Sequence, residues 1–227
     1  DGDTIPNSTP IYATDKPEYR LESYFTRLNF TVANKYLLTA SLRRDASSKF
    51  SKENRVGYFP SFAAAWKLKE EFFKGVNFIN DLKLRLGWGI TGQQDGIGYY
   101  SYLPRYTRST NAGAQYQFGD AFYSYLRPEG YDANLKWETT TTSNVGLDFT
   151  FLNNRISGSA DYYFKKTKDL LSNVPVAPGA NFVNLLTVNV GNMEVQGFEF
   201  TLNTTPVRNT NLTWDLSFNY TYNKSKI

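Results

Sequence analysis

Asn211-Leu212-Thr213-Trp214-Asp215-Leu216-Ser217-Phe218-Asn219-Tyr220-Thr221-Tyr222-Asn223-Lys224 alternates polar residues with apolar or aromatic ones through Tyr222. An extended chain sends successive side chains to opposite sides, so Leu212, Trp214, Leu216, Phe218, Tyr220 and Tyr222 share one face. Asn211, Thr213, Asp215, Ser217, Asn219, Thr221 and Asn223 share the other. Strands of soluble proteins run to about 5 to 6 residues, whereas a tilted strand that crosses a bilayer needs about 9 to 11. The stretch therefore predicts a long strand with one greasy and one wet face.

The same period of two recurs along the chain. It predicts further strands over Glu22–Ala33, Tyr36–Arg44, Val56–Lys69, Leu82–Gly92, Trp137–Phe151, Arg155–Lys165 and Gln196–Thr204, about eight in all with the first. Asn34-Lys35 and Asn153-Asn154 read as tight turns, Thr205–Thr210 with Pro206 is short, and Glu70–Asp81 is modest. Between them come Ala46–Arg55, the very long Gln93–Asn134 and Leu171–Leu185, rich in Gly, Ser, Asn, Tyr or Pro. Antiparallel neighbours place alternate connections at opposite ends, so one end is trimmed and the other carries excursions. Outer-membrane barrels have that asymmetry, with short periplasmic turns and long external loops. Trp137 and Tyr36 at strand starts, with Tyr162, Tyr163, Tyr220 and Tyr222 near strand ends, fit aromatic girdles at the two interfaces.

Composition removes much other chemistry. The 227 residues hold no Cys and no His, which excludes disulfides, thiolate or imidazole metal ligation and histidine acid–base catalysis. The 17 Tyr and 17 Phe exceed the needs of an ordinary soluble domain. Mean hydropathy is negative, but a membrane barrel hides its apolar surface by alternation and scores as polar. The net charge of +4 is dispersed without a basic block, so no nucleic-acid partner is read from it. The opening Asp1–Ser8 has neither a charged n-region nor an apolar h-region, which suggests a removed leader or an internal piece.

Three motifs invite sharper readings that fail. Gly87-Trp88-Gly89-Ile90-Thr91-Gly92 spells a dinucleotide fingerprint, yet no helical pattern follows to receive a pyrophosphate. Glu70 with Glu71, or Glu138 with Asp148, could be imagined as a glycosidase pair, but charges on polar strand faces are better explained as pairing between neighbouring strands. Asn29-Phe-Thr31, Asn211-Leu-Thr213 and Asn219-Tyr-Thr221 are by-products of alternation rather than glycosylation signals. No catalytic residue, cofactor site or metal site is expected.

The richest stretch for function is the loop Gln93–Asn134. It carries Tyr99, Tyr100, Tyr102, Tyr106, Tyr116, Phe118, Phe122, Tyr123 and Tyr125, interleaved with Arg105, Arg108 and Arg127. Rings mixed with arginines suit stacking on sugars, peptide side chains or a docking partner. They equally suit a loop that folds on itself around a private small core.

Longer stretches resemble successive motifs of the SusC/RagA family. These are Leu38-Thr39-Ala40-Ser41-Leu42-Arg43-Arg44-Asp45 through Phe50, Tyr58-Phe59-Pro60-Ser61-Phe62 with Trp66, and Leu82-Lys83-Leu84-Arg85 leading to Gly89-Ile90-Thr91-Gly92. Asn134–Glu138, Asn144–Asp148, Asp161-Tyr162-Tyr163 with Lys168–Leu171, Asn189–Asn192 with Gly197-Phe198-Glu199, and Trp214–Asn223 follow in order, so the likeness runs from about Leu21 to Ile227. Ala46 stands where the family has Gly, and Val195-Gln196 where Asn-Lys is commoner.

The resemblance implies an all-β, antiparallel transmembrane segment of a Bacteroidetes-type TonB-dependent transporter, whose barrel has roughly 22 strands around a plug. Such proteins sit in the outer membrane, import glycans or peptides, work with a SusD-like surface lipoprotein and draw energy from the TonB complex. On this reading residues 1–21 end an external loop and 22–227 form part of the wall. No plug or TonB-contacting segment is found, and the next stave is expected beyond Ile227. Leu212, Trp214, Leu216, Phe218 and Tyr220 would meet lipid. The alternatives are a soluble β-sandwich or surface carbohydrate-binding module, which would bury those residues inside, and a small closed barrel, which would pair its first and last strands.

Overall fold

The computed structural model describes residues 16–108, 115–124, 126–177 and 185–227. Its strands in chain order are β1 (Leu21–Val32), β2 (Tyr36–Ser47), β3 (Val56–Lys67), β4 (Ile79–Gln93), β5 (Tyr106–Arg108), β6 (Gln115–Phe118), β7 (Ala121–Ser124) and β8 (Leu126–Pro128). Then come β9 (Glu138–Phe151), β10 (Ile156–Lys168), β11 (Leu171–Pro175), β12 (Leu185–Asn189), β13 (Asn192–Arg208) and β14 (Thr213–Lys226). One short helix, α1 (Leu68–Phe72), follows β3.

Eight long strands make one antiparallel sheet in the order β1-β2-β3-β4-β9-β10-β13-β14. Each expected strand is present, and β2, β4, β10 and β13 are longer than the alternation alone delimits. No second sheet of comparable size packs against this one among the described residues, which removes the sandwich. The strands β1 and β14 lie at opposite edges and do not pair, which removes the small closed barrel.

Register sorts the sheet into two faces. The row Leu28–Ala40–Phe62–Trp88–Ser143–Phe164 runs across one face, and Lys83–Asp148–Ser159–Thr201–Asn219 across the other. A slip of one residue anywhere would turn a strand's apolar set to the polar side, so alternation and register enforce each other. Cross-strand rings knit the apolar face, with Tyr36 stacked on Trp66 and Phe62 on Trp88, each pair at 5.9 Å between centroids.

The short connections cluster at one end. Val32 pairs with Tyr36 around Ala33-Asn34-Lys35, and Ala33 and Asn34 take left-handed φ of 51° and 54°. The right-handed twist of the flanking strands demands that conformation, which Asn tolerates better than most residues. Leu152, Asn153 and Asn154 repeat it between β9 and β10. In the β13–β14 turn the Asn209 side-chain oxygen accepts from the N–H groups of Asn211 and Leu212.

Local departures from alternation have identifiable causes. The expected strand Val56–Lys69 stops at Lys67, because Leu-Lys-Glu-Glu-Phe forms α1 with Glu70 and Glu71 in its first turn, where the helix dipole favours them. Pro206 can give no N–H to a ladder, and the register shifts there, from Thr204↔Leu216 to Val207↔Trp214. Pro60 likewise marks the point where β3 leaves β4, since their pairing ends at Ser61↔Gly89.

The buried core lies at the end with the long loops. Phe50, Phe59, Ile97, Leu135 and Trp137 form it, with Ile90 and Leu171 packed alongside. Trp137, expected as a girdle ring, is buried instead. Its ring lies 4.9 Å from Phe50 and 5.4 Å edge-on from Phe59, and its indole N–H donates to the Arg55 carbonyl at 3.1 Å. A buried indole N–H needs such an acceptor, and the loop after β2 supplies it.

Candidate functional site

On the polar face, the middle of the sheet carries a charged lattice. Lys83 and Asp148 are register partners on β4 and β9 with Nζ 3.0 Å from Oδ2. Two residues further along β4, Arg85 donates to Asp148 from Nε at 2.9 Å. It also donates to both oxygens of Asp161 on β10, at 2.8 and 3.0 Å. The row joining Arg85 to Asp161 passes through Gly146 of β9, where a Cβ would strike the Asp161 carboxylate and the guanidinium. Glycine leaves the corridor through which Arg85 crosses a whole strand.

Other glycines on this face serve the same end of close approach. A Cβ at Gly87 would meet Asn144, and one at Gly89 would lie 2.9 Å from Ser61 Cβ. The run Gly87–Gly92 is extended strand throughout, so its likeness to a nucleotide motif has no structural counterpart.

Toward the long loops, the parting of β3 from β4 opens a cavity of about 440 Å³ bordered by Ser41, Arg43, Asp45, Phe59, Ser61 and Thr91. Arg43 Nε donates to both Asp45 oxygens at 2.8 Å, and Ser41 and Ser61 share a 2.6 Å hydrogen bond. The cavity lining is thus mostly polar, and Phe59 of the buried core with Ile90 beside it supplies the apolar part.

In each imagined acid–base pair at least one carboxylate is engaged elsewhere. Glu71 accepts from Lys35 Nζ at 2.8 Å, Asp148 is held by Lys83 and Arg85, and Glu138 accepts from the Leu171 N–H at 2.9 Å. At the Lys35–Glu71 contact the hydrogen bond to Lys35 holds the Glu71 carboxyl below its ordinary range, and the same bond raises Lys35 above its own. No cluster of His, Cys, Asp and Glu suited to a metal occurs among the described residues.

The loop between β4 and β9 separates into a packed base and an exposed outer part. At the base, Tyr100 takes a left-handed φ of 61°, and its hydroxyl accepts from the Glu18 N–H. Arg105 lies 5.7 Å over the Tyr100 ring and 2.7 Å from Glu129, and Tyr102 is half-buried. Farther out, β6 and β7 form a hairpin in which Tyr116 faces Tyr123, Gln117 faces Phe122 and Phe118 faces Ala121. Tyr116, Phe118 and Tyr123 are 58 to 71% exposed, Tyr116 lies 6.3 Å from Phe118, and Phe122, Tyr106 and Tyr99 are exposed too. Tyr125 lies outside the described residues.

On the opposite face Trp214, Leu216, Phe218 and Tyr220 of β14 are exposed, as are Tyr222 and, in the preceding turn, Leu212. Sequence reasoning missed Phe50, Ile97 and Leu135 as core. They sit in or beside irregular segments, where no periodicity marks a buried side chain.

An open sheet of long two-faced strands, with excursions at one end and a charge-paired polar wall, defines a piece of a large transmembrane barrel. Residues 1–227 match the family model described as TonB dependent receptor-like, beta-barrel, and the chain belongs to that family. It is 54% identical to the TonB-dependent receptor SusC of Bacteroides thetaiotaomicron over 208 residues, 91% of this chain and 21% of that protein. It is 38% identical to the TonB-dependent receptor P39 of Formosa agariphila over 216 residues, 94% of this chain and 20% of that protein. Among solved structures the RagAB peptide importer in its closed-closed state superposes with a TM-score of 0.81 at 28% identity, covering 91% of this chain and 22% of that one. The chain therefore spans about a fifth of the length of the relatives it matches. The SusC/RagA likeness and the partial-barrel fold expected from the sequence hold.

Proposed function

We propose that this chain is a wall-and-loop segment of a TonB-dependent importer in the outer membrane of a Bacteroidetes-type bacterium, and that the importer takes up glycans or peptides. The apolar face meets outer-membrane lipid, with Trp214, Leu216, Phe218 and Tyr220 in its band and Leu212 at its edge. The polar face lines the lumen. The wall performs no covalent chemistry and holds no cofactor. Its partners are a SusD-like surface lipoprotein at the loop end and, through other parts of the protein, the TonB complex. The exposed rings Tyr99, Tyr106, Tyr116, Phe118 and Tyr123 contact cargo or the lipoprotein, whereas Tyr100, Tyr102 and Arg105 hold the base of that loop. Tyr125 is assigned to the same contact surface from the sequence alone.

The observation that carries this reading is the 54% identity to SusC over a segment whose sheet is two-faced and whose long connections share one end. The structural neighbour RagAB is a peptide importer, which keeps peptides beside glycans as cargo.

The test is genetic and biochemical. The gene of the full-length protein is deleted, and growth is measured on oligosaccharides and on oligopeptides as sole nutrient. Affinity purification of the tagged protein from membranes asks which surface lipoprotein accompanies it. Loss of growth on one nutrient class with recovery of a SusD-like lipoprotein is expected. Unimpaired growth on every polymer, or a protein that stays in the aqueous fraction without detergent, would refute the proposal.

A further inference from the structure

The apolar face does not end uniformly at the loop end of the sheet. On β10, β13 and β14 the last fully apolar row is Tyr162–Phe198–Tyr222, the next is Phe164–Gln196–Lys224, and the one beyond is Lys166–Glu194–Lys226. The three lysines therefore stand on the face that carries the rings, not on the polar wall. Lys166 Nζ lies 2.6 Å from Glu194 Oε1, the one carboxylate in these rows, while Lys224 and Lys226 have no ion pair among the described residues. The corresponding edge of β1 and β2 is neutralised, with Arg44 Nη1 3.3 Å from Glu22. A hollow of about 160 Å³ is lined by Phe164, Gln196, Lys224, Lys226 and Glu194.

Position along the strand sets the depth. Four residues separate the tyrosine row from the outer lysine row, which is about 13 Å of strand and about 10 Å along the normal for the usual tilt. If the tyrosines mark the interface, the lysines stand in the headgroup layer. Lysine is a compact, strongly hydrated point charge that suits phosphate. Surplus positive charge there, beside a hollow floored by a ring, complements an anionic headgroup whose chains lie along the apolar face below.

We infer that Lys166, Lys224 and Lys226 form a site for a phosphate of an anionic glycolipid headgroup in the outer leaflet. The inference rests on the membrane placement proposed above. Glu194 tempers the site by competing for Lys166.

The test uses the full-length transporter purified in mild detergent, incubated with bis-phosphorylated lipid A or the same lipid with its phosphates removed, and read by native mass spectrometry. Wild type is expected to hold the phosphorylated lipid in preference, and the Lys166→Gln/Lys224→Gln/Lys226→Gln variant to hold it at least about tenfold less well, given the attraction of each surface lysine for anionic lipid. Replacing the three lysines with arginine should preserve binding, and Glu194→Gln should strengthen it. Binding by the glutamine variant within twofold of wild type, equal retention of the dephosphorylated lipid, or no gain in Glu194→Gln would overturn the inference. Those results leave the transporter reading standing if the protein still fractionates with the outer membrane, whereas a protein absent from that membrane overturns both.

Discussion

Arg85 of β4 reaches past the whole of β9 to Asp161 of β10, its Nη2 2.8 Å from Oδ1, and the register residue between them is Gly146. Three strands are thereby tied through one guanidinium that also holds Asp148. Neither carboxylate is exposed enough to be indifferent to losing its partner, and the planar fork of arginine serves both at once.

Gly146→Val should break this tie without touching a charge. We expect the full-length barrel to lose about 1 to 3 kcal/mol of stability, the range for leaving partly buried charged groups unpaired, measured as a lowered urea midpoint in lipid vesicles. Arg85→Lys should lose part of the same amount, since an ammonium cannot fork between two carboxylates. Wild-type stability in Gly146→Val would show that the lattice contributes nothing.

Exposure on the apolar face leads to a second expectation. Phe218 lies midway along the exposed row of β14, and Phe218→Lys should destabilise insertion by about 2 to 4 kcal/mol, as for lysine near a bilayer midplane. Asn219→Lys, one residue on but on the polar face, should be tolerated. Folding titrations of both variants into vesicles check the contrast, and equal tolerance would contradict the assignment of faces.

At the end with the short turns, the Lys35–Glu71 hydrogen bond ties the β1–β2 turn to α1. The folded-state value of Glu71 is lowered, so its favourable contribution is full above the ordinary glutamate pKa and disappears as pH falls through the lowered value. Lys35 is raised, so its contribution is full below the ordinary lysine value and is lost only as pH climbs past the raised one. Amide exchange in Leu68–Phe72 should therefore quicken at acid pH in wild type, beyond the intrinsic change, and show no such step in Glu71→Gln.

Beneath the long loops, Trp137 fills the contact between Phe50 and Phe59 and caps the Arg55 carbonyl. Trp137→Ala should cost about 3 kcal/mol locally, at the low end for truncating a buried tryptophan. Faster proteolysis of the segment 94–137, with the barrel's heat-modified mobility on gels intact, is the expected signature.

For the exposed hairpin, Tyr116→Ala/Phe118→Ala/Tyr123→Ala should change stability by less than about 0.5 kcal/mol, since solvent-exposed positions contribute little to folding. Uptake or lipoprotein association should fall severalfold. Unchanged uptake with unchanged lipoprotein recovery would remove these rings from the contact surface.

Alternation is a local signal, and it determined most of what alternation can reach. The eight long strands, their two faces from Tyr24 to Tyr222, and the short turns at Asn34 and Asn153 follow from spacing alone, because a pleat sets side-chain direction residue by residue. It failed where local chemistry changes without breaking hydrophobicity, as at Leu68, which the pattern extends as strand and the acidic first turn makes helix. Pairing between distant segments was beyond its reach. That Arg85 meets Asp161 through Gly146, that Trp137 turns inward while Tyr36 stays on the apolar face, and that the lysines of β10 and β14 gather around Glu194 all depend on register and on chain returning from 28 or more residues away. Only the tertiary structure decides such relations, because each residue's partner is chosen by the sheet as a whole and not by its neighbours in the chain.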